Sequence, residues 1–234
     1  MPKATKKPAA KPKPIRKTTG DLAPDRIAAI LKALDEAYPN VECALHHTSP
    51  WELLVATILS AQCTDVRVNM VTPALFKRFP TPAAMAKASL PELEDLIRTT
   101  GFFHNKAKSI QGAAQKIVSD FDGKVPQTLA ELITIPGAAR KTANVVLGVS
   151  FNKAEGVVVD THVFRIARRL SLTKADTAPK VEQDLMRIIP QARWIAFSHQ
   201  LIRHGRQVCI ARKPKCDHCN LEQLCRSKDK TWNS

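Results

Sequence analysis

No run of about eighteen apolar residues occurs anywhere in the chain, which excludes a hydrophobic membrane-spanning helix. No secretory hydrophobic segment follows the first methionine, so a cytoplasmic location is expected. Aromatic residues make up only 5% of the sequence and Tyr38 is the sole tyrosine, which speaks against a base-stacking sheet of the RNA-recognition kind. Period-two alternation is missing too, apart from the short run Val157-Val158-Val159, so the fold class expected is all-α. Acidic residues are scarce: 21 Asp and Glu stand against 36 Lys and Arg, for a formal charge of +15. Such an excess suits a polyanionic partner without separating DNA, RNA and acidic lipid.

The 234 residues suffice for one large or two small cores. Residues 1–20 form a basic tail; Met1 to Thr19 hold seven Lys or Arg, four prolines and no acid. Prolines at 2, 8, 12 and 14 prevent a stable helix, so a disordered tether for DNA is expected there rather than an organelle presequence. Pro24 then opens a helix with Ile27, Ile30, Leu31 and Leu34 on one face. Ser49-Pro50-Trp51-Glu52 is a capping box, and Leu53 to Ala61 behind it is apolar nearly all round, hence a buried helix. Further caps at Thr81-Pro82 and Ser89-Leu90-Pro91-Glu92 predict short helices, and Ala107, Ile110, Ala114, Ile117 and Phe121 trace one face of a long one. Helices are also predicted at Thr161–Leu170, near Val181–Ile189 and at 192–205.

Leu132 to Leu147 reads LITIPGAARKTANVVL, two apolar helical pieces joined by Ile135-Pro136-Gly137-Ala138-Ala139. Thr128 and Glu131 carry a T-x-x-E start signal, and Pro136 with Gly137 ends the first piece. The second piece opens with unpaired N–H groups at the positive end of its dipole, an arrangement that receives phosphate without reading base sequence. An ordinary helical hairpin with two surface cations is the plainer reading of this stretch taken alone. Lys141 lies in that first turn beside Arg140, and both the dipole and the neighbouring cation disfavour its charged form. An amine held partly neutral near phosphate is a plausible nucleophile toward a sugar carbon, giving a Schiff base. Asp160 follows the valine run at a helix start, where an N-cap role alone would account for it.

Cys209, Cys216, Cys219 and Cys225 have the spacing C-x6-C-x2-C-x5-C, and only Cys43 and Cys63 lie elsewhere. Four cysteines so close point to a metal group, since an unsecreted chain argues against disulfides. Zinc and a four-iron cluster both accept four thiolates, and chemistry alone leaves that choice open. Arg212, Lys213 and Lys215 lie between the first two of them, where a loop pinned by metal ligands would hold its cations against phosphates.

Taken together these motifs resemble the endonuclease III family of DNA base-excision enzymes over about residues 22 to 230. The hairpin is similar to that family's L-P-G-x-G loop; Leu59-Ser60-Ala61-Gln62-Cys63-Thr64-Asp65 resembles its L-S-A-Q-x-T-D. Gly101-Phe102-Phe103-His104-Asn105-Lys106-Ala107 stands where the family has G-L-Y-N-x-K-A. The resemblance implies two α-helical domains with double-stranded DNA across the cleft between them. One is a six-helix barrel domain over residues 43–153; the other joins 21–42 to 154–234 and carries a [4Fe–4S] cluster on the four cysteines. It implies a monomeric bacterial base excision repair enzyme of the nucleoid, a bifunctional DNA glycosylase and abasic-site lyase for oxidised pyrimidines. Lys141 and Asp160 would be catalytic. Gln62 would fill the hole left by a flipped base, offering donor and acceptor at once. Phe102 would wedge between bases, and Gly137, Ala139, Arg140 and Lys213 would meet the backbone.

The chain also departs from the family. Ala139 stands at the hairpin's second glycine, and Phe102 and His104 alter the wedge loop. An adenine-mismatch glycosylase of the same fold is the nearest alternative; Lys141 and the end of the chain at Ser234 speak against it. A catalytically idle or weak binder of damaged DNA and a zinc-stabilised nucleic-acid module are two more.

Overall fold

The computed structural model describes residues 20–232, so all but the last residue of the basic tail lies outside them. Among the described residues there are helices and turns but no strand. The valine run before Asp160 belongs to neither helix nor strand.

Helix α1 (Pro24–Ala37) starts on its proline, and Ile27, Ile30 and Leu34 are buried while Leu31 is half-exposed. Arg26, also buried, donates to the carbonyls of Asp21, Leu170 and Leu224. Helix α2 (Pro50–Leu59) is capped by Ser49, whose Oγ accepts from Glu52 N at 3.2 Å, and Glu52 Oε2 accepts from Thr48 N. Eight of its ten residues are buried, as the all-round apolar pattern predicts. Helix α3 (Asp65–Arg78) accommodates Pro73 in its interior, a site at which the ring removes one helical hydrogen bond. Short helices α4 (Pro82–Ala86) and α5 (Leu90–Ile97) start on the expected Thr81 and Ser89 caps. Both pack on the long helix α6 (Phe103–Asp120). Helix α7 (Leu129–Leu132) is a single turn, shorter than its apolar pattern suggested, because Pro136 and Gly137 follow so closely. Helix α8 (Arg140–Phe151) packs on α2 and ends at Asn152 in the left-handed conformation. Helices α9 (Thr161–Arg169), α10 (Ala178–Ile188) and α11 (Trp194–Gln207) follow, the last preceded by a short 3-10 turn.

Two hydrophobic cores result. The first gathers buried residues from Leu45 to Leu147, supplied by α2 through α8. The second combines Ile27, Ile30 and Leu34 of α1 with residues from Val157 to Leu221. The chain therefore starts in one core, builds the other, and returns. Crossings are tied by polar contacts: Asp35 pairs with Arg193, and Asn220 Nδ2 donates to Ala33 O at 2.6 Å.

Candidate active site and metal centre

The hairpin is fixed from beneath. Leu132, Ile135 and Ala138 are buried in the first core, which orients the turn between α7 and α8. Thr128 Oγ accepts from Glu131 N at 3.3 Å and donates to Glu131 Oε2 at 2.6 Å, so the T-x-x-E signal does start α7. Gly137 has φ of +78°, and a Cβ there would fall 2.9 Å from Ser109 Cβ and 3.1 Å from Ile58 Cγ2. Both backbone and space require glycine. Ala139, by contrast, has φ of −71° and is the N-cap of α8 without any side-chain cap bond. Its methyl group imposes no strain, and the first-turn amides of α8 keep no internal acceptor.

Lys141 is exposed in that first turn. It shares with Asp160 a cleft of about 390 Å³ between the two cores, also lined by Ser60, Asp65, His199 and Arg203. Asp160 is half-buried and does cap α9: its Oδ1 accepts from His162 N and Val163 N, both at 2.8 Å. Both bonds fall on one oxygen, which leaves Oδ2 without a backbone partner. Arg206 of α11 and Asp65 of α3 close one side of the cleft with an ion pair of 2.7 Å. Burial, with the Arg206 charge second, holds the His199 imidazole below its ordinary range, which favours a neutral ring in the cleft.

Arg140 differs from the free cation that the sequence suggests. Its Nε donates to Glu182 Oε2 at 2.9 Å and Oε1 at 3.1 Å, and Asn144 Nδ2 donates to Oε1 at 2.9 Å. The Glu182 side chain is only 8% exposed against 49% for Arg140. A carboxylate from α10 thus compensates the cation beside Lys141, and the hydrogen bond to it raises the Arg140 pKa. Nothing in the sequence marked Glu182, one acid on an amphipathic helix. Nor did it mark His199, Arg203 and Arg206, polar residues spaced along α11.

Gln62 and Phe102 project from the first core. Both are exposed and both have left-handed backbones, with φ of 52° and 48°. Phe102 is 65% exposed, so it does not pack inward. A non-glycine residue held in this conformation costs about 1–2 kcal/mol, the sort of strain found at functional sites. Behind it, Lys106 is buried and its Nζ donates to Thr100 O at 2.8 Å, which anchors the loop.

The four cysteines line one cavity together with Arg169, Pro214 and Lys215. Arg169 Nη1 lies 3.3 Å from Cys209 Sγ and donates to Ile210 O, while Arg165 Nη2 donates to Cys209 O at 2.8 Å. Burial pushes the Cys219 thiol up to about 11 and raises that of Cys225, so ionising this set calls for a strongly positive partner. The donor set fits a metal group. Lys213 is exposed in the adjoining loop with φ of 52°. Against this cavity lies His204, buried to 1% exposure, its pKa lowered to about 4 by burial.

Residues 55–191 match the HhH-GPD superfamily base excision DNA repair proteins. The chain is 57% identical to the endonuclease III of Synechocystis sp. over 202 residues, covering 86% of this chain and 92% of that protein. Among solved structures, a non-covalent endonuclease III–DNA complex superposes with a TM-score of 0.83 at 40% identity, over 87% of this chain and 95% of that one. A trapped endonuclease III–DNA covalent intermediate gives the same TM-score at 41% identity, over 87% and 96% of the two chains. Likeness of fold alone does not extend to identity of this order along nearly the whole of a relative's length: this chain belongs to the endonuclease III family.

Proposed function

We propose that this chain removes oxidised pyrimidines from double-stranded DNA as a bifunctional glycosylase and abasic-site lyase, with Lys141 and Asp160 as its catalytic pair. The observation that carries the assignment is the cleft both residues line, one at the open start of α8 and the other at the start of α9. With the damaged nucleotide flipped into that cleft, Lys141 Nζ attacks C1′ and the bond from C1′ to the base breaks. Asp160 Oδ2, which carries no cap, is the oxygen suited to taking the ammonium proton and opposing positive charge on the sugar. The amine adduct then becomes a Schiff base as the C1′–O4′ bond breaks and O4′ takes up a proton, opening the sugar ring. The Schiff base withdraws electrons from C1′, so loss of a C2′ proton expels the 3′-phosphate by β-elimination and nicks the strand. The unpaired amides of α8 and exposed Lys213 supply phosphate contacts that position the backbone. Arg140 does so only with what Glu182 leaves free. Gln62 and Phe102, exposed and conformationally held, enter the duplex beside the flipped nucleotide.

Cys209, Cys216, Cys219 and Cys225 would hold a [4Fe–4S] cluster, which when bound stiffens the cation-bearing loop and completes the second core. Membership of the endonuclease III family and the C-x6-C-x2-C-x5-C spacing favour it over zinc, and all four cysteines line one cavity. The two hydrophobic cores support a barrel domain over 43–153 and a cluster domain over 21–42 plus 154–234.

Borohydride trapping on an abasic-site duplex tests the chemistry. Wild type is expected to yield a covalent complex, and Lys141→Gln to lose it while keeping DNA affinity nearly intact. Trapping that persists in Lys141→Gln would assign the reaction to another amine.

A further inference from the structure

His204 is buried on α11 at the joint between α1 and the cysteine cavity, and the base-excision chemistry makes no use of it. Its Nδ1 lies 3.0 Å from the hydroxyl of Tyr38, and the two rings meet edge-on at 72° with centroids 5.9 Å apart. Its Nε2 lies 3.5 Å from Cys219 Sγ. A neutral imidazole has one donor and one acceptor, so these two contacts decide each other. A Cys219 sulfur that ligates metal is a thiolate and only accepts. Nε2 must then carry the proton, Nδ1 must accept, and the Tyr38 hydroxyl must donate to it. The sole tyrosine of the chain thus fixes the tautomer.

The geometry points to His204 as a positioning residue that donates a hydrogen bond to the Cys219 ligand of the cluster, oriented by Tyr38, and thereby sets the cluster's reduction potential. This rests on the four-iron assignment above. Hydrogen bonds to cluster sulfurs stabilise the more negatively charged, reduced state more than the oxidised one. Removing the donor therefore makes the couple harder to reduce. The dipole sits in a buried region with little water to screen it, which preserves its effect.

The test is the midpoint potential of the free, loaded protein at an electrode, where one electron is exchanged and no bond breaks, with visible absorption reporting loading. His204→Leu is expected to lower the potential by a three- to tenfold change in the oxidised-to-reduced ratio, tenfold being about 59 mV for one electron. His204→Gln, which returns an N–H donor at similar reach, should bring the potential back toward wild type. Tyr38→Phe keeps the ring but frees the tautomer, and should shift the potential in the same direction by less. A loaded His204→Leu protein with an unmoved potential overturns the inference. Should His204→Leu not load, an unmoved potential in Tyr38→Phe overturns it equally. A colourless wild-type protein would instead sink the cluster assignment beneath it.

Discussion

Gly156 stands against the Glu182 carboxylate so closely that no side chain fits. A Cβ built there would lie 2.2 Å from Glu182 Oε1 and 2.5 Å from Asn144 Nδ2, far inside contact distance. Gly156→Ala must therefore push Glu182 away from Arg140 and Asn144. Breaking a fully buried ion pair costs about 3–5 kcal/mol, and Arg140 is half-exposed, so the lower end of that range applies. For a chain of this size each kcal/mol is worth about 2–4 °C, which places the loss in melting temperature at roughly 6–12 °C. The same displacement loosens the first turn of α8, where Lys141 sits, so borohydride trapping should slow along with the melting shift. Thermal unfolding of a double-mutant cycle separates the causes. Glu182→Ala removes the nearer of the two atoms in the way while Asn144 Nδ2 stays, so adding Gly156→Ala to it should cost clearly less than in the wild-type background. Equal cost of Gly156→Ala in both backgrounds would refute the carboxylate clash, and an unshifted single variant would refute the close approach itself.

Other outcomes follow from the same geometry. Asp160→Asn keeps an acceptor for the His162 and Val163 amides, and Asn caps a helix as well as Asp. Base release should therefore fall sharply with melting unchanged; wild-type turnover would reduce the residue to a cap. Phe102→Gly relieves the left-handed backbone, so stability should stay within about 1 kcal/mol while affinity for lesion-bearing duplex drops. Unchanged affinity would remove Phe102 from the interface. Ala139→Gly acts at an N-cap, where glycine is preferred to alanine, so the melting temperature should hold or rise slightly. Closer phosphate approach should tighten abasic-DNA binding about tenfold, worth roughly 1.4 kcal/mol; weaker binding in a competition titration would exclude that contact. Cys216→Ser should reduce both visible absorption and soluble yield, because metal binding energy is folding energy here. Full yield of a colourless protein would show that the fold does not need the metal.

Local signals were the most legible part of the sequence. The S/T-x-x-E boxes at Ser49, Ser89 and Thr128 start helices because one hydroxyl satisfies one orphan amide, a purely local event. The hairpin turn and the cysteine spacing are equally local. What depended on distant partners was not readable. Arg26 looks like a solvent-facing residue on α1, yet three carbonyls from three segments bury it. Arg140 reads as a free cation until Glu182, forty-two residues on, is folded against it. The Ala139 backbone was open from sequence alone: a left-handed turn there would have made alanine costly, whereas the observed φ of −71° makes it harmless. His204 looked like one more polar residue near a helix end, and only packing sets it between a tyrosine and a cysteine.

The return of the chain to its first core has a consequence for biosynthesis. A ribosome releases α1 first, but the partners of Ile27, Ile30 and Leu34 run from Val157 to Leu221 and emerge last. The barrel core, complete by Leu147, can close while α1 is still waiting. Through that interval an amphipathic helix with an unburied apolar face trails beside a finished neighbour. A nascent chain stalled or truncated before Val157 would carry that face permanently, as a handle for holding chaperones or a seed for aggregation. The last step of folding is then the capture of the N-terminal helix by α11 and the segments that follow it, so the two ends of the chain close the second core together.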